Sequence, residues 1–192
     1  MTTAETLNRV QRARGPLRSL LDLLPHDTLM IGGKPYMRRW YVFGYAPEVD
    51  DPNLSTPGGC RRGRWWNSCL GAIRIHEIVA SDDSRAFHDH PWPFVSILLR
   101  GSYIERRPWP PHGTVHPPDD HRNAEHTYRA PAINRKAATD LHVLTVERGP
   151  VWTLFLTRPK QRSWGFAGPF GWMPWREFDA RFPERDAWTE TS

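Results

Sequence analysis

Two histidines separated by one residue, His88 and His90, stand in the run Ala86-Phe87-His88-Asp89-His90-Pro91-Trp92. Side chains alternate along an extended strand, so both imidazoles project to one face while Phe87 and Asp89 project to the other. From a shared face, both can reach a single ion at about 2.0–2.1 Å each. Pro91 has no N–H to offer a ladder and stops the strand, and Trp92 can wall the site. The same spacing suits two surface histidines on an edge strand, and it leaves both readings open.

A second clue lies far downstream. His142, in Leu141-His142-Val143-Leu144-Thr145-Val146-Glu147, shares its face with Leu144 and Val146, so its ring points where aliphatic groups point. A buried imidazole needs a partner, which for a lone core histidine can be a backbone carbonyl. With a His-x-His strand earlier in the same small chain, a shared metal is the more economical account. His76 shares a side with Arg74 and Ile78, and reads as a structural hydrogen-bonding group or as one that orients a ligand.

Elements must position these rings. Tyr36 to Tyr45 is rich in aromatics, and residues 70–80 and 94–107 are rich in β-branched groups, so each predicts a strand. Residues 141–147 and 151–157 predict two more, joined as a hairpin through the turn Arg148-Gly149-Pro150. Residues 46–64 and 108–125 are rich in Pro, Gly and Asp and read as loops. Residues 3–24 predict a helix opened by a Thr2/Glu5 capping box and split at Gly15-Pro16, with Pro16 in the first turn of its second part, to cover one side of the core. Pro174 likewise begins a C-terminal helix, followed by a frayed tail after Pro183. Residues 163–175 hold three Trp, two Phe and no charged residue; they read as a flap sealing the core, with a pocket rim as the alternative.

The whole reads as one all-β domain with a short helix at each end. Residues 1–28 form the helical segment, 29–166 the β-barrel core, and 167–192 the aromatic flap and helix. The net charge of +5 comes almost wholly from Arg, since Lys occurs only at Lys34, Lys136 and Lys160. The Arg residues are scattered rather than concentrated, which speaks against a nucleic-acid groove. Cys60 and Cys69 form no Cys-x-x-Cys pair, and no stretch resembles a signal peptide or a bilayer span. The expectation is a soluble cytoplasmic protein with reduced thiols, a Cys60–Cys69 bridge staying open.

Residues 88–105, HDHPWPFVSILLRGSYIE, resemble the first motif of the cupin superfamily, a His-x-His strand followed by an apolar strand ending in Gly. His142, on a later strand, resembles the single histidine of the second cupin motif. With SDDSRAFHDHPW, VWTLFLT and WGFAGPFGWMPW, the chain looks like a group of small cupin-like proteins met in phage and bacterial genomes. The resemblance implies an antiparallel jelly-roll barrel, often a homodimer, with a divalent metal on His88, His90 and His142. Fe(II) is favoured, with Zn, Mn or Ni as the other choices. The usual Glu after the second His is absent here, where Pro91 to Val95 stand, leaving three histidines as in cupin thiol dioxygenases.

The implied function is a metal-dependent, dioxygenase-like enzyme acting on a small molecule. An isomerase or lyase and a non-catalytic binding module are the alternatives. Tyr103 and Glu105 share a face and are the candidates for proton transfer; Glu105 reads as a displaced ligand, a general base, or a partner of Arg100 or Arg129. Arg74 and Arg129 would suit an anionic group. The insertion with His112, His116, His121 and His126 reads as a lid or rim rather than a second metal site.

Overall fold

The computed structural model describes residues 16–31, 33–44, 54–55, 71–82, 86–109 and 115–182. Helix α1 (Pro16–Leu21) precedes strands β1 (His26–Ile31), β2 (Lys34–Phe43), β3 (Leu54–Ser55) and β4 (Ala72–Ile78). Then come β5 (Phe87–His88), β6 (Phe94–Arg107), β7 (Ala124–Arg129), β8 (Ala132–Lys136) and β9 (Val143–Thr157). Strands β10 (Gly165–Gly168) and β11 (Gly171–Pro174) lead into helix α2 (Trp175–Arg181).

Strands β6 and β9 carry the architecture. They pair antiparallel from Phe94↔Thr157 to Arg106↔Val143, with register slips between Leu98 and Tyr103. On its other side β6 meets β8 before the slip and β7 after it. One layer therefore runs β8-β6-β9-β4-β2-β1-β3, using the first part of β6 and the last part of β9. The other runs β7-β6-β9-β5-β10-β11, joined at one point by the bridge His88↔His142.

The slip keeps both layers facing inward. Phe94, Ser96 and Leu98 are buried before it, and Tyr103 and Glu105 after it, so the buried parity changes along β6. The same change occurs along the partner, from His142 to Val151, Thr153 and Phe155. Shifting a strand by one residue turns over every side chain that follows, which is what the crossing between layers requires. Gly101 sits at the slip with φ +87°, where a Cβ would lie 2.7 Å from the carbonyl oxygen of Arg148. Only glycine takes that conformation without strain.

Two apolar clusters hold the layers. Tyr36, Ile78, Leu98 and Val151 of the first layer pack with Tyr103 of the second. Ala86, Phe166, Met173, Trp175, Phe178 and Phe182 form the other, at the β10–β11 hairpin and α2. Helix α1 docks polar groups as well: Arg18 pairs with Glu77, and Trp40 Nε1 donates to Asp22 at 3.0 Å.

The mostly antiparallel jelly-roll class, and strands over 94–107 and most of 36–45 and 70–80, agree with the sequence reading. The expected barrel does not close; it is a sandwich whose edge strands β3, β7, β8 and β11 lack a second neighbour among the described residues. Nor is there a hairpin at Arg148-Gly149-Pro150: β9 runs straight through, because both its halves pair with β6 in the same sense. A phase slip in one strand imitates a turn between two. The residues read as a flap form β10 and β11, and part of the expected loop at 108–125 gives way to β7 at its end. Pro16 begins α1 as expected, and Pro174 stands at the N-cap of α2. The capping box at Thr2, both cysteines, His112, the tail after Pro183 and most of residues 46–64 lie outside the described residues. Among the described residues, no helix is long and apolar enough to cross a membrane.

Candidate metal centre

The His-x-His segment is clamped from both sides. His88 donates its N–H to the carbonyl of His142 and accepts the N–H of His142 in return, each at 3.0 Å. Two ring-bearing residues are thus opposed by their own backbones. His90 lies beyond the short strand β5 and donates its N–H to Ala138 O at 3.2 Å. Asp89 turns to the other side, as alternation requires, and is 1% exposed. Its Oδ1 accepts Gly165 N–H at 2.8 Å, and its Oδ2 accepts Trp172 Nε1–H at 2.9 Å and the Arg162 guanidinium. The intervening aspartate therefore anchors the two histidines to β10 and β11.

The three rings converge. One nitrogen from each of His88, His90 and His142 lies within 4.8 Å of the others. The Nε2 atoms of His90 and His142 are 2.8 Å apart. Two nitrogens bound at right angles to one ion would be separated by about 2.9 Å, so the spacing matches a shared first-row cation. Burial pushes the His88 imidazole down to about 4, against the opposing pull of Asp82, and holds His90 well below its usual value. Neutral rings with free lone pairs are the form that binds metal. The donor set fits a divalent ion of the first transition row.

Glu105 stands behind His142. Its Oε1 lies 2.7 Å from His142 Nδ1, which fixes that ring's orientation and leaves Nε2 facing the other two histidines. Lys136 Nζ donates to Oε2 at 2.8 Å, Arg107 Nε donates to Oε2 at 2.6 Å, and Asn134 Nδ2 donates to Oε1 at 3.0 Å. The carboxylate is fully buried. Burial alone raises its pKa, but the hydrogen bond and charge of His142, with Lys136, overcome that and hold it below the ordinary range. Its cationic partners are Lys136 and Arg107 rather than the expected Arg100 or Arg129. Tyr103 connects to the histidines through this network, its hydroxyl accepting from Asn134 Nδ2 at 3.0 Å; burial raises its phenol.

Other candidates sit elsewhere. His76 is buried in β4 and stacks on Phe155 with centroids 4.5 Å apart, and burial holds it well below its usual value. Arg74 is buried beside it. Arg129 pairs with Glu147 at 3.7 Å in an exposed cleft at the strand slip. His126 is exposed on β7 against Tyr128, and His121 is exposed beside Asp120. Sequence reasoning missed Asp82, which lies 3.9 Å from His88 Nδ1 and accepts Leu144 N–H at 2.7 Å. It also missed Lys136 and Asn134. The rarity of lysine in this chain was the one signal that marked Lys136.

No family model and no curated protein matches the chain. Among solved structures it is similar to the DMSP lyase DddQ from Ruegeria pomeroyi, at 13% identity and TM-score 0.44, over 71% of this chain and 54% of that one. It is also similar to FeII HppE, at 12% identity and TM-score 0.43, over 75% and 58%. An RmlC-like cupin protein from Ralstonia eutropha gives 11% identity and TM-score 0.41, over 82% and 78%. The chain thus spans little more than half the length of the first two, and these likenesses concern shape alone. Two antiparallel layers that share their long strands and enclose a His-x-His segment with a downstream histidine give this chain a jelly-roll sandwich fold.

Proposed function

We propose that the chain is a metal-dependent cupin acting on a small molecule, with an Fe(II)-dependent oxygenase as the leading reaction class. One observation carries the reading: His88 and His90, one residue apart, and His142, far downstream, place one ring nitrogen each within 4.8 Å of one another. His88, His90 and His142 would hold the ion. Bound there, a divalent cation supplies Lewis acidity, and iron adds redox chemistry. Three protein ligands leave coordination positions for a substrate.

The protein's own groups have distinct tasks. Glu105 acts through His142 as a positioning residue, keeping one tautomer and making the ring a stronger donor. Lys136 and Arg107 keep Glu105 charged and occupy the lone pairs a general base would need. Asp89 locks the His-x-His segment to the aromatic hairpin. Phe94, edge-on to His90 at 4.7 Å between centroids, keeps water from one flank of the centre.

Metal analysis of protein purified without chelator tests the reading. Near-stoichiometric iron in the wild type, lost in His142→Ala with the β-sheet spectrum retained, is the expected result. A folded wild-type protein that stays metal-free after incubation with Fe(II) would overturn it and leave a non-catalytic module.

A further inference from the structure

The strand slip that lets β6 and β9 cross between layers leaves a cleft of about 480 Å³, lined by Ser102, Arg129, Glu147 and Arg148 beside Gly101. That volume falls within the usual range for a small-molecule site. Register explains the lining. Ser102 pairs with Arg129 of β7 on one side and with Arg148 of β9 on the other, whereas Tyr103 pairs with Tyr128 and Val146. Glu147 is therefore an extra residue on β9, and the bulge brings two consecutive side chains, Glu147 and Arg148, to the same cleft. Ser102 and Tyr103 point to opposite faces of β6, so the cleft opens on the outer side of the layer whose inner side holds Tyr103 and Glu105.

The charges of the cleft do not cancel, since two guanidiniums share one carboxylate. Glu147 accepts the Ser102 hydroxyl at 3.3 Å and lies 3.7 Å from Arg129, a long contact made by a side chain that is 74% exposed. Arg148 is exposed, and among the described residues no hydrogen bond or ion pair holds its guanidinium. A lone surface arginine names no ligand. Here two of them flank a buried hydroxyl across adjacent strands, in a concave site that concentrates their field. A planar carboxylate is matched by a single guanidinium fork, whereas donors arriving from both sides match a tetrahedral oxyanion.

We propose that Arg129, Arg148 and Ser102 form a binding site for a phosphate dianion, carried by a small phosphorylated molecule or free in solution. The site is separate from the three histidines and independent of any metal there. Each guanidinium donates to phosphate oxygens from its own side, and the Ser102 hydroxyl turns from Glu147 to donate between them. Glu147 competes for Arg129 and is the group that the phosphate displaces.

Phenyl phosphate, inorganic phosphate and benzoate are the probes, titrated calorimetrically at constant ionic strength into the full-length protein, as purified and after chelation. A pH of about 7.5 keeps the phosphate ester chiefly a dianion. The expected result is saturable binding of phenyl phosphate in both samples, about tenfold or more tighter than benzoate. Arg148→Gln and Arg129→Gln each weaken it about tenfold, Arg148→Lys recovers part of the loss, and Glu147→Gln tightens it. Arg135→Gln, which removes an exposed charge from β8, leaves it unchanged. Tighter binding of phenyl phosphate than of inorganic phosphate assigns the cleft to a phosphorylated molecule; equal or weaker binding assigns it to free phosphate, and either supports the site. Equal affinity for phenyl phosphate and benzoate, no effect of Arg148→Gln, or binding lost on chelation overturns it. So does an oligothymidylate that displaces phenyl phosphate at the same salt, the mark of a nucleic-acid groove. Both arginines are exposed, so their variants are expected to fold. Should one fail, the wild-type comparison and Glu147→Gln decide.

Discussion

Glu105 is the residue on which the centre most depends after the three histidines. Replacing it by Gln keeps the volume but leaves Lys136, whose side chain is fully buried, without its anionic partner. Breaking a buried pair in this way costs about 3 kcal/mol or more. Glu105→Gln is therefore expected to lower the denaturation midpoint and to weaken metal binding about 10- to 100-fold, read by competition with a chelator. Acid probes the imidazoles separately. The folded value of His88, about 4, lies below the ordinary value near 6.5. Between these values the unfolded chain binds a proton that the folded chain refuses, so stability falls as the pH drops through that window. Glu105 has the opposite chemistry: its depressed carboxyl contributes above the ordinary carboxylate range, and that contribution fades only at lower pH. Thermal melts of metal-free protein from pH 7 to 4.5 should show a falling midpoint, with a shallower slope in His88→Gln; an unchanged slope contradicts the assignment. At this scale the sequence was informative. His88, His90 and His142 were legible because imidazole spacing on strands has a direct geometric meaning. Asp82 and Lys136 were not, since nothing in a linear pattern says which charged groups a fold turns inward.

The bent pair β6 and β9 shows where element-level reading succeeds and fails. Residues 94–107 read as one strand because β-branched and aromatic groups run through both halves, Gly101 notwithstanding. In β9 the same parity change fell on Arg148-Gly149-Pro150, residues with strong turn preference, and so read as a hairpin. Pairing with β6, which only the folded chain reveals, settles the matter. Strand β5 spans two residues and owes its existence to the His142 backbone and to β10 rather than to any propensity of its own. Gly101→Ala tests the bend. A side chain there meets both an unfavourable φ and the Arg148 carbonyl, and should cost about 2 kcal/mol in urea denaturation, with the dependence on denaturant little changed.

Across the whole molecule, composition and strand pattern indicated an all-β domain, and the antiparallel jelly roll followed from the resemblance carried by the histidine motifs, whereas closure was not legible, because it depends on which edges meet. The ligands arise from one layer, and the groups supporting them come from both: Glu105 from β6 beyond its slip, Lys136 and Asn134 from β8 in the opposite layer. Metal bound at that junction should stabilise both layers together. Chelation is expected to lower the melting temperature, the stabilisation at a metal concentration one hundred times Kd being about 2.7 kcal/mol, while the far-ultraviolet β signal stays unchanged. The reciprocal bonds between His88 and His142 explain why the fold should survive the loss. Two of the three ligands are registered by peptide groups, which no chelator removes. The three rings are thus placed by the chain itself, and under the metal-dependent reading selection among cations would fall to cellular supply and to the intrinsic order of their affinities for nitrogen. Under the metal-dependent reading proposed above, a protein built this way is open to loading with the wrong ion when produced in a foreign host, so incubation with Fe(II) is a necessary arm of its metal analysis.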